Sequence, residues 1–263
     1  MCCVTNDLLA RHLRELPAFR ALLRATEARF YAELELPQPV LDVGCGDGHF
    51  AAAAFAQKPA VGIDPQWHSL QEAQARKGYC GLLQAGGDHL PFAGATFASA
   101  VSNSVLEHIP DVQPVLEEVS RVLQSGAPFI FCVPSENFLP MLSVSRALRR
   151  SGLATLAARY ETFFNRISRH HHCDSPGIWQ ARLLAAGFSV ERYWYYFSAA
   201  ALRALEWGHF LGLPALVSKL IFGRWVLVPT TANLMLTDRL MRRHFEEPLP
   251  AHGAYLFFIA RKN

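Results

Sequence analysis

Residues 40–50 read VLDVGCGDGHF, a short apolar run followed by a glycine-rich loop and the start of an alanine-rich segment. The run Val40–Val43 is typical of a buried strand, and the segment that begins at His49 predicts a helix. Gly44 and Gly46 carry no β-carbon, so a ligand can approach the backbone of this loop closely. The helix start presents unpaired N–H groups to an anionic group. We therefore predict a ligand-binding turn between a strand and a helix.

The rest of the chain alternates between strand and helix patterns with short connections. This alternation predicts an α/β fold, in which helices cover both faces of a parallel sheet. After Pro134 two mainly helical insertions interrupt the alternation, which resumes near the carboxyl end. The predicted strands are residues 40–43, 60–63, 81–84, 96–102, 128–133, 188–197 and 254–261.

A single domain of 263 residues accommodates this order of elements. Its predicted parts are an N-terminal helical cap (1–36), a ligand-binding core (37–134), a helical lid insertion (135–177), the carboxyl-terminal part of the core (178–197 and 252–263) and a second, apolar insertion (198–251).

The spacing of the glycines separates two classes of nucleotide-like ligand. A dinucleotide site requires the pattern GxGxxG, but position 49 is histidine, which disfavours a nicotinamide oxidoreductase. Asp42, just inside the strand, suits a ligand with a cationic amino group. Together with residues 61–64, 87–92, 98–111 and 118–126, the loop resembles the class I S-adenosylmethionine (SAM)-dependent methyltransferase family, in its small-molecule branch.

The resemblance implies a seven-stranded Rossmann-like sheet with an antiparallel last strand, and SAM as the cofactor. It also implies that acids after the second and third strands hold the ribose hydroxyls and the adenine amino group. An ordinary strand-to-helix turn, a helix cap or a plain turn would explain the same residues without a ligand. The predicted cofactor-binding residues are Asp42, Gly44, Cys45, Gly46, Asp64, Pro65, Asp88, His89 and Asn103.

Candidates for substrate binding and catalysis follow the fourth strand and the lid. Asn103 lies where the transferred methyl group is expected, and it either binds substrate or only satisfies the backbone. His108 is a candidate base and substrate ligand, or packs beside the cofactor. His171 and His172 are candidate bases, and His172 a candidate substrate ligand, or they form an exposed turn. We predict no metal site, because consecutive side chains rarely converge on one ion.

Charge and hydropathy indicate what the acceptor resembles. The chain is 51% hydrophobic with a net charge of only +3, so we expect no nucleic-acid partner. Residues 135–170 contain six basic and two acidic residues in an otherwise apolar stretch. We therefore expect methyl transfer to a small hydrophobic or lipid-like acceptor.

Two alternatives stay open at this stage. The acceptor is a polar metabolite and the apolar insertions form a homodimer, or the protein is a non-catalytic SAM-binding assembly factor at a membrane. The six cysteines form no CxxC pair, and no secretory signal opens the chain, so we expect a cytoplasmic protein whose insertions also suit peripheral contact with a membrane.

Overall fold

A computed structural model describes residues 7–263, so the first six residues of the expected N-terminal cap lie outside the described residues. The sheet has seven strands in the order β3-β2-β1-β4-β5-β7-β6. β7 pairs antiparallel with both of its neighbours, and the other pairs are parallel. The predicted mostly parallel sheet with an antiparallel last strand is therefore confirmed. The strands are β1 (Val40–Val43), β2 (Val61–Asp64), β3 (Gly81–Gln84), β4 (Ser99–Asn103), β5 (Pro128–Pro134), β6 (Phe188–Tyr196) and β7 (Tyr255–Lys262).

Eleven helices surround the sheet within the described residues. Pro17 separates the first two, as its lack of an N–H predicts. The lid contains α6 and α7, and the second insertion contains α9 to α11. The helices are α1 (Leu8–Leu13), α2 (Ala18–Ala32), α3 (His49–Ala54), α4 (Trp67–Arg76), α5 (Gln113–Val122), α6 (Ser143–Arg150), α7 (Ala154–Ser168), α8 (Pro176–Ala185), α9 (Ala199–Leu211), α10 (Leu213–Phe222) and α11 (Thr231–Phe245).

Alternation along β5 divides the core into two layers. Phe129 and Phe131 pack in the layer that contains α5 and α8, and Ile130 and Cys132 pack in the layer that contains α2 and α9. All four side chains are fully or almost fully buried, as expected for a strand covered on both faces. The N-terminal cap and both insertions therefore belong to one side of the sheet.

A buried carboxylate joins the two insertions. Glu206 of α9 accepts hydrogen bonds from the backbone N–H groups of Ser143 (2.6 Å) and Val144 (3.2 Å), at the start of α6. It also accepts one from the hydroxyl of Tyr160 in α7 (2.7 Å). The Glu206 side chain is completely buried, so these three donors replace water.

The surface of the second insertion is unusually apolar. Exposed leucine, isoleucine and phenylalanine side chains cover α10, and Leu220 is 76% exposed. No helix within residues 7–263 is long and apolar enough to cross a bilayer.

Removal of the buried Glu206 carboxylate should loosen the contact between the insertions. Glu206→Ala leaves three buried donors without an acceptor, so we expect the free energy of unfolding to fall by about 2–4 kcal/mol. Glu206→Gln keeps one acceptor oxygen and should lose less. The matched control is Glu191→Ala, which removes an exposed pair with Arg261 and should cost no more than about 0.5 kcal/mol. Urea unfolding measures all three variants, and equal losses for Glu206→Ala and Glu191→Ala would contradict the account.

Candidate functional site

The topology creates a crevice at the carboxyl end of β1. β1 pairs with β2 on one side and with β4 on the other, so the connections after β1 and β4 leave in opposite directions. Ligands of open α/β sheets bind at such a switch point. The glycine loop begins here, and the N–H groups of Gly44 and Cys45 both donate to the carbonyl of Ile63 in β2, at 2.9 and 2.8 Å.

The two glycines of the loop have different roles. Both have positive φ angles, +79° for Gly44 and +53° for Gly46. A β-carbon on Gly44 would lie 2.4 Å from the side chain of Val105, so this glycine is needed for packing against the segment after β4. A β-carbon on Gly46 would meet no atom within 4 Å. Open space for a ligand therefore lies at Gly46, while contact of the Gly44 backbone with the cofactor stays a prediction.

Asp64 places a carboxylate beside this open space. Its Oδ2 accepts a hydrogen bond from the N–H of Gly46 (3.0 Å), and its Oδ1 accepts one from the N–H of Gln66 (2.8 Å). The exposed Pro65 accepts a hydrogen bond at its carbonyl from the side chain of Gln84 (2.9 Å), which joins the ends of β2 and β3. The acid at the end of β2 thus directly contacts the glycine loop.

Asp42 and Cys45 lie beneath the loop. The hydroxyl of Tyr79 donates a hydrogen bond to Asp42 Oδ2 (2.6 Å), and both residues are buried. Burial raises the pKa of Asp42 to about 7, the bond from Tyr79 opposes the rise, and the neighbouring Asp64 adds to it. The Cys45 side chain packs with Tyr79 in a small apolar cluster, and its contact with the cofactor stays a prediction. Sequence reasoning missed Tyr79, because its contact with Asp42 joins segments distant in the chain.

Asp88 and His89 are exposed residues in the connection that follows β3. The N–H of the next residue, Leu90, donates to the carboxylate of Glu118 in α5 at 2.8 Å, which fixes the end of this turn. Their contacts with adenine stay a prediction.

Asn103 ends β4 beside a buried polar cluster, and its roles in cofactor and substrate binding stay predictions. Its Nδ2 donates to Glu27 Oε2 at 2.7 Å. Glu27 is completely buried on α2 and also accepts from Arg24 (2.7 Å), Ser104 (2.9 Å) and Tyr196 (2.9 Å). The cluster connects the N-terminal cap with β4 and β6. A charged residue on the otherwise apolar face of α2 was the available signal for it.

His108 lies close to two ionisable groups at the same edge. Its Nε2 is 3.8 Å from Oε1 of Glu107, its Nδ1 is hydrogen bonded to the carbonyl of Arg169 (2.9 Å), and its ring centroid is 5.4 Å from that of His170. Burial raises the pKa of Glu107 to about 8. Burial, followed by the charge on His108, lowers the pKa of His170 to about 3. The structure therefore assembles Glu107, His108 and His170, of which sequence reasoning singled out His108 but not His170.

His171 and His172 hold the lid against the segment after β4. Both backbone N–H groups donate to the carbonyl of Glu107, at 2.7 and 3.3 Å. The His172 ring is bonded through Nε2 to the carbonyl of Ile109 (2.9 Å) and lies 3.4 Å from Asp174 through Nδ1. These contacts give His172 a structural role, while the His171 side chain is exposed. A role in proton transfer or substrate binding stays a prediction for both.

Sequence comparisons agree with this geometry. Residues 41–131 match a family described as methyltransferase domain. An uncharacterized methyltransferase of Mycobacterium sp. (strain JLS) is 34% identical over 139 residues, which are 45% of this chain and 54% of that protein. A malonyl-[acyl-carrier protein] O-methyltransferase of Legionella pneumophila is 28% identical over 101 residues, 36% of each chain. The chain thus spans about half the length of the first of these relatives.

Comparisons with solved structures extend over nearly the whole chain. A SAM-dependent methyltransferase from Thermotoga maritima has a TM-score of 0.57 at 15% sequence identity. The match covers 94% of this chain and 91% of the Thermotoga chain. The [4+2]-cyclase SpnF has a TM-score of 0.54 at 18% identity, over 90% of this chain and 80% of its own. At these identities the likeness shows the fold alone, a Rossmann-like seven-stranded sheet. Together, the matched domain and this fold support the class I SAM-dependent methyltransferase family.

The buried Asp42 carboxyl predicts a pH dependence of stability. Because its pKa is raised from 3.8 to about 7, the folded state binds this proton more tightly than the unfolded state does. Its contribution to stability is full below about pH 4 and is lost as the pH rises towards about 7. Asp42→Asn removes this dependence, so relative to wild type it should gain about 1–3 kcal/mol between pH 4.5 and pH 8.

Urea unfolding of both proteins over this pH range measures the difference. Tyr79→Phe is the companion variant, because losing the donated hydrogen bond should raise the Asp42 pKa further and extend the loss of stability to higher pH. Parallel wild-type and Asp42→Asn curves would show that the carboxyl does not titrate as described.

Proposed function

We propose that this protein transfers a methyl group from SAM to a small hydrophobic acceptor that carries an anionic group. One observation supports SAM as the methyl donor. It is the open space at Gly46 beside the Asp64 carboxylate, within the matched methyltransferase domain. A free backbone surface and a carboxylate that can accept from hydroxyl groups fit the polar part of SAM.

The residues that would hold SAM are the loop backbone at Gly44 and Gly46, Asp64 for the ribose hydroxyls, and Asp88 for the adenine amino group. When bound, SAM supplies an electrophilic methyl group on its sulfonium. The chain's own contribution is to hold the acceptor in line and to keep water away, which can account for a large part of the acceleration. A basic side chain is needed only for an acceptor atom of high pKa.

A cationic groove supports the choice of acceptor. It lies between α6, α9 and α11, has a volume of about 1250 Å³, and has an apolar floor that includes Phe19 and Met241. None of the residues that line it, all within the described part of the chain, is acidic. Four exposed arginines face it: Arg146, Arg150, Arg203 and Arg243. A ligand with an apolar body and a carboxylate or phosphate group matches this combination of apolar surface and positive charge.

A row of aromatic rings connects the groove with the carboxyl end of β4. Phe19 contacts His209 (centroids 4.6 Å apart), and His209 contacts Phe164 (5.3 Å). Phe138 follows at 6.1 Å, and its ring lies 4.9 Å from His170, beside His108. A continuous row of ring contacts therefore links the groove to the polar cluster after β4. The Legionella relative is named for malonyl-[acyl-carrier protein], whose malonyl group also carries a carboxylate.

The exposed apolar surface of α10 favours a second candidate role, contact with a membrane. Leu220 and Ile221 are 76% and 66% exposed, and Lys219 and Arg224 lie beside them in sequence. A non-catalytic assembly factor at a membrane, or a homodimer acting on a polar metabolite, would use the same surface. Each of these stays a prediction that the acceptor experiment below separates from the main proposal.

The variant Asp64→Ala tests whether SAM binds beside the Asp64 carboxylate. Losing the carboxylate should weaken binding of S-adenosylhomocysteine at least about 10-fold, because a charge-assisted hydrogen bond is worth about 1.5–3 kcal/mol. Isothermal titration calorimetry measures the affinity, with Asp111→Ala as the control, an exposed acid in the segment after β4. Unchanged affinity in Asp64→Ala would mean that the donor site is misplaced.

Radiolabelled SAM and fractionated cell extract test whether the methyl acceptor is a hydrophobic molecule with an anionic group. We expect labelled methyl groups in acidic lipids or acyl compounds, and at least about 10-fold lower kcat/KM for the double variant Arg203→Gln/Arg243→Gln, with unchanged affinity for S-adenosylhomocysteine. The control is Arg261→Gln, an arginine near the end of β7 that does not line the groove. Label only in polar neutral metabolites would favour the dimer alternative, and no label with intact SAM binding would favour the assembly factor.

A further inference from the structure

Three metal-ligating side chains converge after β4. One carboxylate oxygen of Glu107 and one ring nitrogen each of His108 and His170 all lie within 4.8 Å of one another. Glu107 and His108 belong to a short 3-10 helix, Leu106–His108, and His170 follows the end of α7. Arg169, with φ of 58°, makes the turn that brings His170 alone of the three consecutive histidines into the cluster.

Hydrogen bonds hold the ring of His108 and the backbone of His170. The Nδ1 of His108 donates to the carbonyl of Arg169 at 2.9 Å, which leaves the Nε2 lone pair directed towards Glu107. Asn165 holds the backbone of His170 through two hydrogen bonds. The side-chain amide of Asn165 donates to the carbonyl of His170 (3.0 Å), and the backbone carbonyl of Asn165 accepts from the N–H of His170 (3.3 Å). A histidine whose second ring nitrogen donates to a carbonyl is the usual arrangement around bound zinc.

The buried Glu107 carboxylate has one oxygen without a hydrogen-bond partner among the described residues, and a cation could bind it. Glu107 is 1% exposed, and its Oε2 has no hydrogen-bond partner among the described residues. A buried acceptor without a partner costs free energy, so such groups need an explanation. A divalent cation between Glu107 and the two histidines provides one.

We propose that Glu107, His108 and His170 bind a divalent transition-metal ion of the zinc type. Two imidazoles and one carboxylate are the ligands of catalytic zinc sites that keep a coordination position open. His108 is 41% exposed on its side chain, so an exogenous ligand can reach that position. One consequence rests on the proposed function: an oxygen atom of the acceptor would bind there and lose its proton to water more readily.

Zinc binding to the full-length chain, free of any histidine tag and stripped with a chelator, tests this site. We expect one Zn²⁺ per chain in competition with a chromophoric chelator. Glu107→Gln and His170→Ala should each bind at least about 100-fold more weakly, because even outer-shell substitutions cost about 10–100-fold. His171→Ala is the matched control: His171 is next to His170 in the chain but contributes no ligand, so zinc affinity should stay at the wild-type value.

X-ray absorption of the zinc-loaded chain should show nitrogen and oxygen ligands without sulfur. Stoichiometric binding lost in Glu107→Gln and His170→Ala, with circular dichroism unchanged, supports the site. No stoichiometric binding by the folded wild type, or equal affinity in the ligand variants, overturns it. Zinc binding is measured without SAM, and S-adenosylhomocysteine binding without zinc, so failure of one proposal leaves the other standing.

Discussion

The parallel pairing of β1 between β2 and β4 is the constraint on which the rest of the structure depends. It directs the connections after β1 and β4 to opposite sides, and this opens a crevice at the carboxyl ends of the two strands. The glycine loop occupies one side of this crevice through its bonds to Ile63. Val105, which packs against Gly44, occupies the other. The donor site and the polar cluster after β4 are therefore neighbours by topology.

Glu27 connects the N-terminal cap to the strands of the sheet. A fully buried carboxylate is stable only when its donors are complete, and Glu27 has one from its own helix, two from the end of β4 and one from β6. The N-terminal cap therefore cannot leave the sheet without exposing the residues beside the candidate metal site. Glu206 has the corresponding role between the insertions, so the walls of the cationic groove depend on buried carboxylates rather than on apolar packing alone.

Sequence alone predicted the features that arise from local patterns. The glycine loop, the sheet and its antiparallel last strand follow from short runs of residues and from the family resemblance. The contacts of Asp42 with Tyr79, and of Asn103 with Glu27, join distant segments, so no spacing in the sequence reveals them. The histidines show the same limit: His170, rather than His171 or His172, meets Glu107 and His108, because the turn at Arg169 decides the direction of each side chain. The expectation of no metal site rested on consecutive residues and on the lack of a second pair at compatible spacing nearby, and neither reveals the contact of His170 with Glu107 and His108.

The central claim is that the methyl donor binds on the backbone at Gly46 beside Asp64. A crystal structure of the full chain grown with S-adenosylhomocysteine tests it most directly. The account predicts ligand density in the open space at Gly46, with the ribose hydroxyls at the Asp64 carboxylate. Density for the ligand in the cationic groove between α6, α9 and α11 instead, with the space at Gly46 filled only by water, would contradict it.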